Sequence, residues 1–483
     1  MPPLRAIVAA TLVTGCHLIS GLTDLGPEGS GRGGAGGNLG GGGGSGGDEG
    51  GMGGGPCGGQ ALAADALSGN GQVVGRSVAI GPTGQVGATF NHRGNLVFRD
   101  DAIGPNMSFD TQQIGAMGFR LGDTGAPAWT FSAGGDAEAG VQQIAFGADG
   151  SAYLCGSYFG TLGNAEFSLS PPIASRAGFV VKLDPTGQVD WAAALDSNNS
   201  AGCYGLAVTS DRLFVVGEFT DDLSFPGDYL DPGGTHGFVL SLPLDDMPGT
   251  GRALGPGMVI QSIAVDEAGG LVLAGYHTQA QDLDGHPLDY VAGRDVFVLG
   301  TDRDLQVTWA QAATGNNADS AEWVATGPGG VLVVGSFRQK LSVGMAEITA
   351  QSGMNAFVWS LDDDGNHRWL RALESDTEAS GHAAAQGPAG ELFAGIRFAG
   401  ESTYDGHPWS AVGNSDALVL RLAPADGALL WDQVLGSPED DEIWGLAAEA
   451  SRVIATGAYG ATPEAGGTTL PPGAGAFVTS TCP

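Results

Sequence analysis

Short apolar runs bounded by turn residues recur along the chain at a nearly constant interval. Each run has β character, as in Gly178–Leu183, and contains an apolar anchor. The anchors lie about 60 residues apart at Phe119, Phe179, Phe238, Phe297, Phe357, Leu418 and Phe477. Helical periodicity is absent throughout, so the pattern predicts an internal repeat built from short strands.

Two further features recur within each repeat. A Trp follows the anchor and a turn in five repeats, at Trp129, Trp191, Trp309, Trp369 and Trp431. An Ala occupies one position in all seven repeats, at Ala79, Ala145, Ala207, Ala264, Ala325, Ala385 and Ala447. In the second repeat the pattern predicts strands at 144–146, 153–156, 179–183 and 189–195, with a loop of about twenty residues between the second and the third.

Seven four-stranded repeats of this length fit the blades of a β-propeller. Blades converge towards the axis, so a small residue is required where neighbouring sheets approach most closely, and the repeated Ala fits that place. A linear β-solenoid is the structural alternative, but its repeats are usually shorter. We therefore expect an all-β protein with a seven-bladed β-propeller over residues 60–483.

The repeat register also predicts two disulfides. Cys57 and Cys482 fall on adjacent positions of one hairpin turn. We therefore expect residues 60–66 to supply the outer strand of the last blade, with a Cys57–Cys482 bridge in place of the missing turn. Cys155 and Cys203 are expected at the same end of adjacent blades, which suggests a second bridge. Free thiols, buried in the second case, are the alternative for both pairs.

The first 59 residues predict an export signal and a tether. Residues 1–15 carry Arg5 and a short apolar stretch, and they lead into Val-Thr-Gly-Cys16, which resembles a bacterial lipoprotein lipobox. The resemblance implies a signal peptide, lipidation of Cys16 and, because residue 17 is His, an outer-membrane location. An ordinary signal peptide with a chance Cys is the alternative. The Gly-rich stretch over 16–59 is expected to be a flexible tether.

The charge of the chain limits its partners. There are 53 acidic and 19 basic residues, a formal charge of -34. Such a chain would be repelled by nucleic acid and by anionic lipid, so we expect no nucleic acid partner and membrane contact only through the N-terminal lipid. With 42% apolar and 15% charged residues, most of the chain can fold.

Part of the sequence resembles a known repeat family. The residues from Asp416 to Trp431, then Leu435–Asp441 and Ile454–Gly457, are similar to the SBBP-type bacterial β-propeller repeat, roughly D-A-F-V-x-K-L-D-x-x-G-x-x-x-W, G-x-x-x-D-x-x and V-Y-V-x-G. The resemblance covers about residues 60–483, with degenerate copies. Members are typically secreted or surface-attached and mostly of unknown activity. The resemblance therefore implies a scaffold or binding role and carries over no catalytic residue.

A candidate binding site comes from the position three residues before the repeated Ala. Its occupants are Arg76, Gln142, Tyr204, Gln261, Glu322, His382 and Trp444. This position is expected at the start of each innermost strand, near one mouth of a central channel. The mixture of polar and aromatic side chains indicates a shallow binding mouth, which Trp323 would join. A solvated rim is the alternative interpretation.

Metal and cofactor sites have weaker support. The turn Asp362–Asn366 has oxygen ligands for Ca²⁺ but does not complete a calcium loop, so we expect no metal. Two Asp-Gly-His-Pro stretches, Asp284–Pro287 and Asp405–Pro408, are interpreted as hairpin turns, with a His-based site as the alternative. The stretch Asp184–Trp191 superficially resembles the tryptophan-docking motif of PQQ-dependent dehydrogenases. No basic cluster presents itself for that cofactor, so the Trp is expected to pack between outer strands.

The sequence as a whole predicts a monomeric, lipid-anchored envelope protein without catalytic residues or cofactor. Its expected function is a binding or assembly scaffold for protein or glycan. An envelope enzyme of quinoprotein or polysaccharide-lyase type is the alternative, and a structural coat component is a third interpretation. An aromatic mouth would favour the scaffold, whereas a buried acid–base cluster would favour the enzyme.

Overall fold

The computed structural model describes an all-β fold. The described residues belong to one compact unit and contain no helix that could span a membrane. They are residues 61–69, 72–93, 96–98, 101–103, 113–119, 127–171, 175–245, 248–450, 452–461, 464–465, 468–469 and 474–481. The predictions for the signal peptide, Cys16, the tether and the Cys57–Cys482 bridge lie outside these residues.

Seven antiparallel units of four strands follow one another along the chain. Strands within a unit pair in chain order, except that the fourth strand of unit 7 comes from the N-terminal side. Unit 1 comprises Val73–Ile80, Val86–His92, Gln113–Phe119 and Trp129–Ala133, and unit 2 comprises Ala139–Phe146, Ala152–Tyr158, Ala177–Leu183 and Val189–Leu195. Unit 3 comprises Ser200–Val208, Arg212–Thr220, Thr235–Pro243 and Thr250–Pro256, and unit 4 comprises Met258–Val265, Leu271–His277, Asp295–Thr301 and Val307–Gly315. Unit 5 comprises Ser320–Gly327, Gly330–Val343, Ala346–Leu361 and His367–Ser375, and unit 6 comprises Glu378–Gln386, Leu392–Ala399, Asp416–Leu422 and Leu429–Gly436. Unit 7 comprises Asp441–Glu449, Arg452–Tyr459, Gly475–Thr481 and Ala61–Gly69.

The N-terminal strand completes the last unit. Ala61 lies opposite Thr481 and Leu67 lies opposite Ala476 in an antiparallel pairing. The prediction that residues near 60–66 supply the outer strand is therefore confirmed for its described part. The two ends of the folded chain are held together by this backbone ladder.

The long loop between the second and third strands contains a short hairpin in every unit, which the sequence pattern did not predict. The hairpin strands are Leu96–Phe98 and Asp101–Ile103, Leu162–Gly163 and Ser168–Leu169, Leu223–Phe225 and Asp228–Leu230, Gln281–Leu283 and His286–Leu288, Glu401–Tyr404 and His407–Ser410, and Glu464–Ala465 and Thr468–Thr469. In unit 5 the second and third strands themselves extend to form it. The hairpins of units 1, 5, 6 and 7 pair with the fourth strand of the preceding unit, and single bridges make the same connection in units 2 and 3.

Seven clusters of buried apolar side chains form the core. Each cluster draws on two neighbouring units, and one of them joins unit 7 to unit 1 through Ile454, Val478 and Phe90. Every repeated Ala belongs to or packs against the cluster between its own unit and the next. The first strands also contact one another in this order, including Val73–Ile80 against Asp441–Glu449. The repeated Ala therefore packs between neighbouring units.

Three of the repeated Trp side chains, those of Trp129, Trp309 and Trp369, pack against a turn of the following unit. A Cβ on Gly187 would lie 2.6 Å from Trp129, and a Cβ on Gly427 would lie 2.8 Å from Trp369. Both glycines have positive φ angles, 85° and 74°. The Trp369 Nε1 also donates to the carbonyl of Pro424 at 3.0 Å. These Trp side chains therefore lie between units, as predicted, but their observed contacts are with a turn of the next unit.

The anchor of the first unit was assigned wrongly. Phe179 lies opposite Gly156 in the middle of its sheet, whereas Phe119 ends its strand opposite Val86. Gly115 occupies the anchor position instead. The first unit has a longer connection before its Trp, so spacing along the sequence shifts the apparent register.

Candidate functional site

Each of the seven first strands has a β-bulge at the same position. In unit 1, Gly75 pairs with Phe90 and Ser77 pairs with Thr89, so Arg76 is left out of the ladder. The seven bulged residues, called the bulge residues below, are Arg76, Gln142, Tyr204, Gln261, Glu322, His382 and Trp444. They are the seven repeat-related residues that the sequence singled out, and all are half-buried.

The bulge residues lie farther along their strands than predicted. Arg76 is in the interior of Val73–Ile80, and Tyr204 is in the interior of Ser200–Val208. The first strands begin before the apolar pattern becomes regular, so the expected position at the strand start was wrong. A β-bulge re-aims its side chain and bends the strand, which explains why this position tolerates polar and aromatic residues.

Trp323 does not belong with the bulge residues. It follows the bulge, returns to the ladder opposite Val334 and packs against the cluster between units 5 and 6. The equivalent Gln143 also reaches the next unit, where its Oε1 accepts from the backbone N–H of Leu206 at 2.8 Å.

Four bulge residues contact one another across unit boundaries. The guanidinium carbon of Arg76 lies 4.4 Å from the ring centre of Trp444, and its Nη2 donates to Gln142 Oε1 at 2.7 Å. The His382 ring packs edge-to-face with Trp444, with ring centres 4.3 Å apart. The contacts run through units 2, 1, 7 and 6. They therefore combine a cation, an amide and two aromatic rings in one continuous surface.

The electrostatic environment of Arg76 is unusual. Burial lowers its pKa to about 10, and the nearby charge of Glu442 opposes this shift. Its Nε is buried without a hydrogen-bond partner. The Glu442 carboxylate itself accepts from Trp444 Nε1 at 3.0 Å and lies 3.4 Å from Arg397 Nε. Arg76 therefore remains a cation at neutral pH with hydrogen-bonding capacity to spare.

Tyr204 belongs to a second polar group at the boundary of units 2 and 3. Its hydroxyl donates to Glu218 Oε1 at 2.5 Å and accepts from Arg176 Nη2 at 3.0 Å. Arg176 Nη1 lies 3.3 Å from the same Glu218 oxygen. Tyr204 thus has a fixed orientation.

The Cys155–Cys203 disulfide is confirmed. It joins the second strand of unit 2 to the first strand of unit 3, with Cα atoms 5.8 Å apart. Both residues are fully buried, and Cys203 precedes Tyr204 in the strand. The bridge therefore fixes the backbone next to one bulge residue. Both cysteines lie within their strands, where the prediction placed one at a strand end and the other at a strand start.

Two unit boundaries contain pairs of buried aspartates that the sequence analysis missed. Asp295 and Asp319 lie at the boundary of units 4 and 5, and Asp416 and Asp441 lie at that of units 6 and 7. All four are fully buried. Burial, with a smaller contribution from the charge of the paired aspartate, raises the pKa of Asp319 to about 7 and that of Asp441 to about 6.

The aspartate pairs lie at repeat-related positions. Asp295 and Asp416 occupy the Asp of the D-A-F-V stretch, where unit 5 has Asn355. Asn355 Oδ1 accepts from the backbone N–H of Ser375 at 2.7 Å, as Asp295 Oδ1 accepts from Gly315 at 2.8 Å. The sequence signal was therefore present, but only the structure shows which aspartates meet.

The other sequence-predicted positions are structural turns. Asp362 Oδ1 accepts from the backbone N–H groups of Asp364 and Asn366. Asp284 and Asp405 begin the tight turns of two inserted hairpins with positive φ angles of 57° and 52°. The turn interpretation of both Asp-Gly-His-Pro stretches is confirmed. Within the described ranges, no group of three or more His, Cys, Asp and Glu side chains is arranged to hold a metal ion.

Two surface cavities lie away from the bulge residues. One of about 250 Å³ is lined by Arg212, Phe214 and Arg303, between units 3 and 4. Another of about 400 Å³ is lined by Ile348, Arg371 and Tyr404, between units 5 and 6. Both are open to solvent, and neither is lined by a bulge residue.

Comparisons with known proteins give no family. No protein-family model matches the chain, and no curated protein matches it. A crystal structure of a protein of unknown function from Dyadobacter fermentans aligns with 87% of this chain and 98% of its own, at 13% identity and a TM-score of 0.38. The Vibrio cholerae biofilm matrix protein Bap1 aligns with 87% of this chain and 69% of its own, at 11% identity and a TM-score of 0.11.

Proposed function

We propose that this chain is a seven-bladed β-propeller that acts as a non-catalytic binding scaffold, with its ligand at the bulge residues. Seven four-stranded units, the apolar cluster shared by units 7 and 1, and the N-terminal strand in unit 7 support the propeller. The ligand class follows from the polar and aromatic side chains of the bulge residues, which suit a glycan or a protein surface.

The observation that carries the proposal is the bulge repeated in all seven first strands. Bulges are concentrated next to binding and active sites because they re-aim side chains out of a regular ladder. The seven positions hold Arg, Gln, Tyr, Gln, Glu, His and Trp, where a purely structural layer would need small apolar side chains. A few convergent polar groups beside aromatic rings are typical of ligand sites.

The envelope location rests on the sequence. The lipobox-like segment ending in Cys16 supports export and attachment at the outer membrane through the N-terminal lipid, and the Gly-rich tether would hold the folded part away from the bilayer. The resemblance to SBBP-type repeats supports the same placement. We propose a monomer at this location, with a glycan or protein as its partner.

No observation favours the quinoprotein or lyase alternative. Trp191, which ends the stretch that resembled a cofactor-docking motif, packs against the apolar cluster between units 2 and 3. The buried aspartate pairs lie between units, and each of the four aspartates accepts hydrogen bonds from backbone N–H groups. We therefore do not carry an enzyme forward as a second candidate.

A glycan-array measurement with the full chain tests the proposal. We expect saturable binding to at least one envelope polysaccharide, and loss of that binding in Trp444→Ala and His382→Ala. Phe159→Ala, which removes an exposed aromatic ring outside the bulge residues, is the matched control and should bind normally. Absence of binding to every glycan and protein tested, or binding indifferent to both bulge variants, would overturn the proposal.

A further inference from the structure

Arg76 is held in place by two neighbouring bulge residues and yet has unused hydrogen-bond donors. Trp444 supports the face of the guanidinium, and Gln142 accepts from Nη2. The structure gives this guanidinium no other hydrogen bond, and its buried Nε has no partner. Nη1 and the second hydrogen of Nη2 therefore remain as donors for a bound group.

Comparable arginines in the protein are neutralised by acids. Arg176 pairs with Glu218 at 3.3 Å, and Arg252 Nη1 lies 2.6 Å from Asp284. No carboxylate of the described residues lies within 4.0 Å of the Arg76 nitrogens. The chain has 53 acidic residues, so this lack does not reflect a shortage of acids. Arg76 is therefore a preoriented cation that makes no direct ion pair with a described residue, although the charge of the more distant Glu442 acts on it.

We infer that the ligand of the bulge residues carries a carboxylate, which Arg76 binds, and that it is an acidic saccharide such as a uronic acid oligomer. This inference rests on the proposed function. A planar guanidinium presents paired donors that match a carboxylate. Because Gln142 Oε1 accepts from Arg76, its amide nitrogen is left as a further donor beside the same position.

The charge of the protein favours a carboxylate over a phosphate group. A carboxylate carries one negative charge, which one guanidinium compensates, whereas a phosphate carries up to two, and a protein with a formal charge of -34 repels the second. The neighbouring side chains suit a sugar. The amide nitrogen of Gln142 can donate to a hydroxyl group, and the rings of Trp444 and His382 provide apolar surface.

Calorimetric titration of the full chain tests this inference with defined probes. The probes are oligogalacturonate, oligoglucuronate and oligomannuronate, the methyl-esterified form of each, and inorganic phosphate. We expect at least one free-acid oligomer to bind and its neutral ester to bind at least tenfold more weakly. Arg76→Gln should lose at least tenfold in affinity, and Arg76→Lys should lose less because it retains the charge.

Arg252→Gln is the matched control, because it removes a similarly half-buried arginine far from the bulge residues and should leave affinity unchanged. Thermal unfolding checks that Arg76→Gln folds, and we expect only a small loss of stability from the lost contacts with Trp444 and Gln142. If the esters bind as tightly as the acids and Trp444→Ala still abolishes binding, the carboxylate inference is wrong and the proposed function stands. Tighter binding of phosphate, or unchanged affinity in Arg76→Gln, would also overturn it. If no saccharide in this panel or on the array binds, the acidic-saccharide inference is wrong, and a protein that binds the parent chain but not Trp444→Ala would still support the proposed function.

Discussion

Asp295 and Asp319 come from neighbouring units and meet at Gly315. Asp295 Oδ1 accepts from the backbone N–H of Gly315 at 2.8 Å, and a Cβ on Gly315 would lie 2.0 Å from Asp319 Oδ2. Asp319 Oδ1 accepts from the backbone N–H of Arg338, and its Oδ2 has no partner. The protonated form of Asp319 is therefore favoured in the folded protein.

This relationship predicts that stability falls as pH rises. Asp319 has a pKa of about 7 in the folded protein and 3.8 as its ordinary value, so the folded state binds more protons between these values. The free energy of unfolding should decrease from about pH 4 to about pH 7. Above pH 7 the destabilisation caused by ionised Asp319 is complete. Asp319→Asn should remove the cost, with a gain at pH 8 of at most about 4 kcal/mol.

Urea denaturation at several pH values measures this effect. The advantage of Asp319→Asn over the parent protein should grow with pH and be small near pH 4. The control is Asp363→Asn, which changes an exposed aspartate and should shift stability equally at every pH. A pH-independent difference for Asp319→Asn would show that its carboxyl is not protonated in the folded state.

The disulfide should contribute strongly to stability. Cys155 and Cys203 are 48 residues apart, and closing such a loop stabilises by about 4 kcal/mol on the chain-entropy account. The double variant Cys155→Ala with Cys203→Ala should unfold at a lower urea concentration. Reductant should destabilise the parent protein more than this variant. Equal urea midpoints for the two proteins would mean that packing between units 2 and 3 is sufficient without the bridge.

Gly427 should tolerate Ala less well than a glycine of similar backbone geometry. Gly427 and Gly406 both have positive φ, 74° and 78°, but only a Cβ on Gly427 would meet Trp369. Backbone strain is therefore matched, and the difference between the two variants isolates the contact with the ring. We expect Gly427→Ala to lower stability by about 1–3 kcal/mol more than Gly406→Ala. Thermal unfolding of both measures this difference, and equal losses would contradict the proposed packing.

Removing the N-terminal strand should destabilise the whole fold. Deletion of 61–69 exposes the edge of Gly475–Thr481 and also takes away the partner of the hairpin strand Leu96–Phe98. We expect loss of the cooperative thermal transition and rapid proteolysis. A deletion of 26–55, which removes most of the Gly-rich tether, is the control and should leave the transition unchanged. Retention of a cooperative transition without 61–69 would mean that unit 7 is stable with three strands.

The repeat made much of this fold predictable. Residues that recur with a fixed spacing occupy equivalent positions, which is why the Ala contacts, the bulge residues and the Cys155–Cys203 bridge followed from the sequence. Trp323 was misplaced because a bulge changes the side on which the next residue lies, and a bulge leaves no mark in the spacing.

Other features depend on contacts that spacing does not encode. The inserted hairpins have strands of two to four residues in most units, too short for an alternating pattern to be recognised. Asp319 looks like an ordinary turn aspartate in the sequence. Its raised pKa arises only because unit 5 brings it against Asp295 of unit 4, away from water.

The position of Ala61–Gly69 makes the order of synthesis important. This segment leaves the ribosome before any of the seven units, yet its main partner, Gly475–Thr481, emerges last. It must therefore stay unpaired while six units form, and an unpaired strand is prone to join the wrong edge. Premature termination anywhere before the last strand yields a chain whose ends cannot meet, so completion of the polypeptide acts as a checkpoint for its final structure.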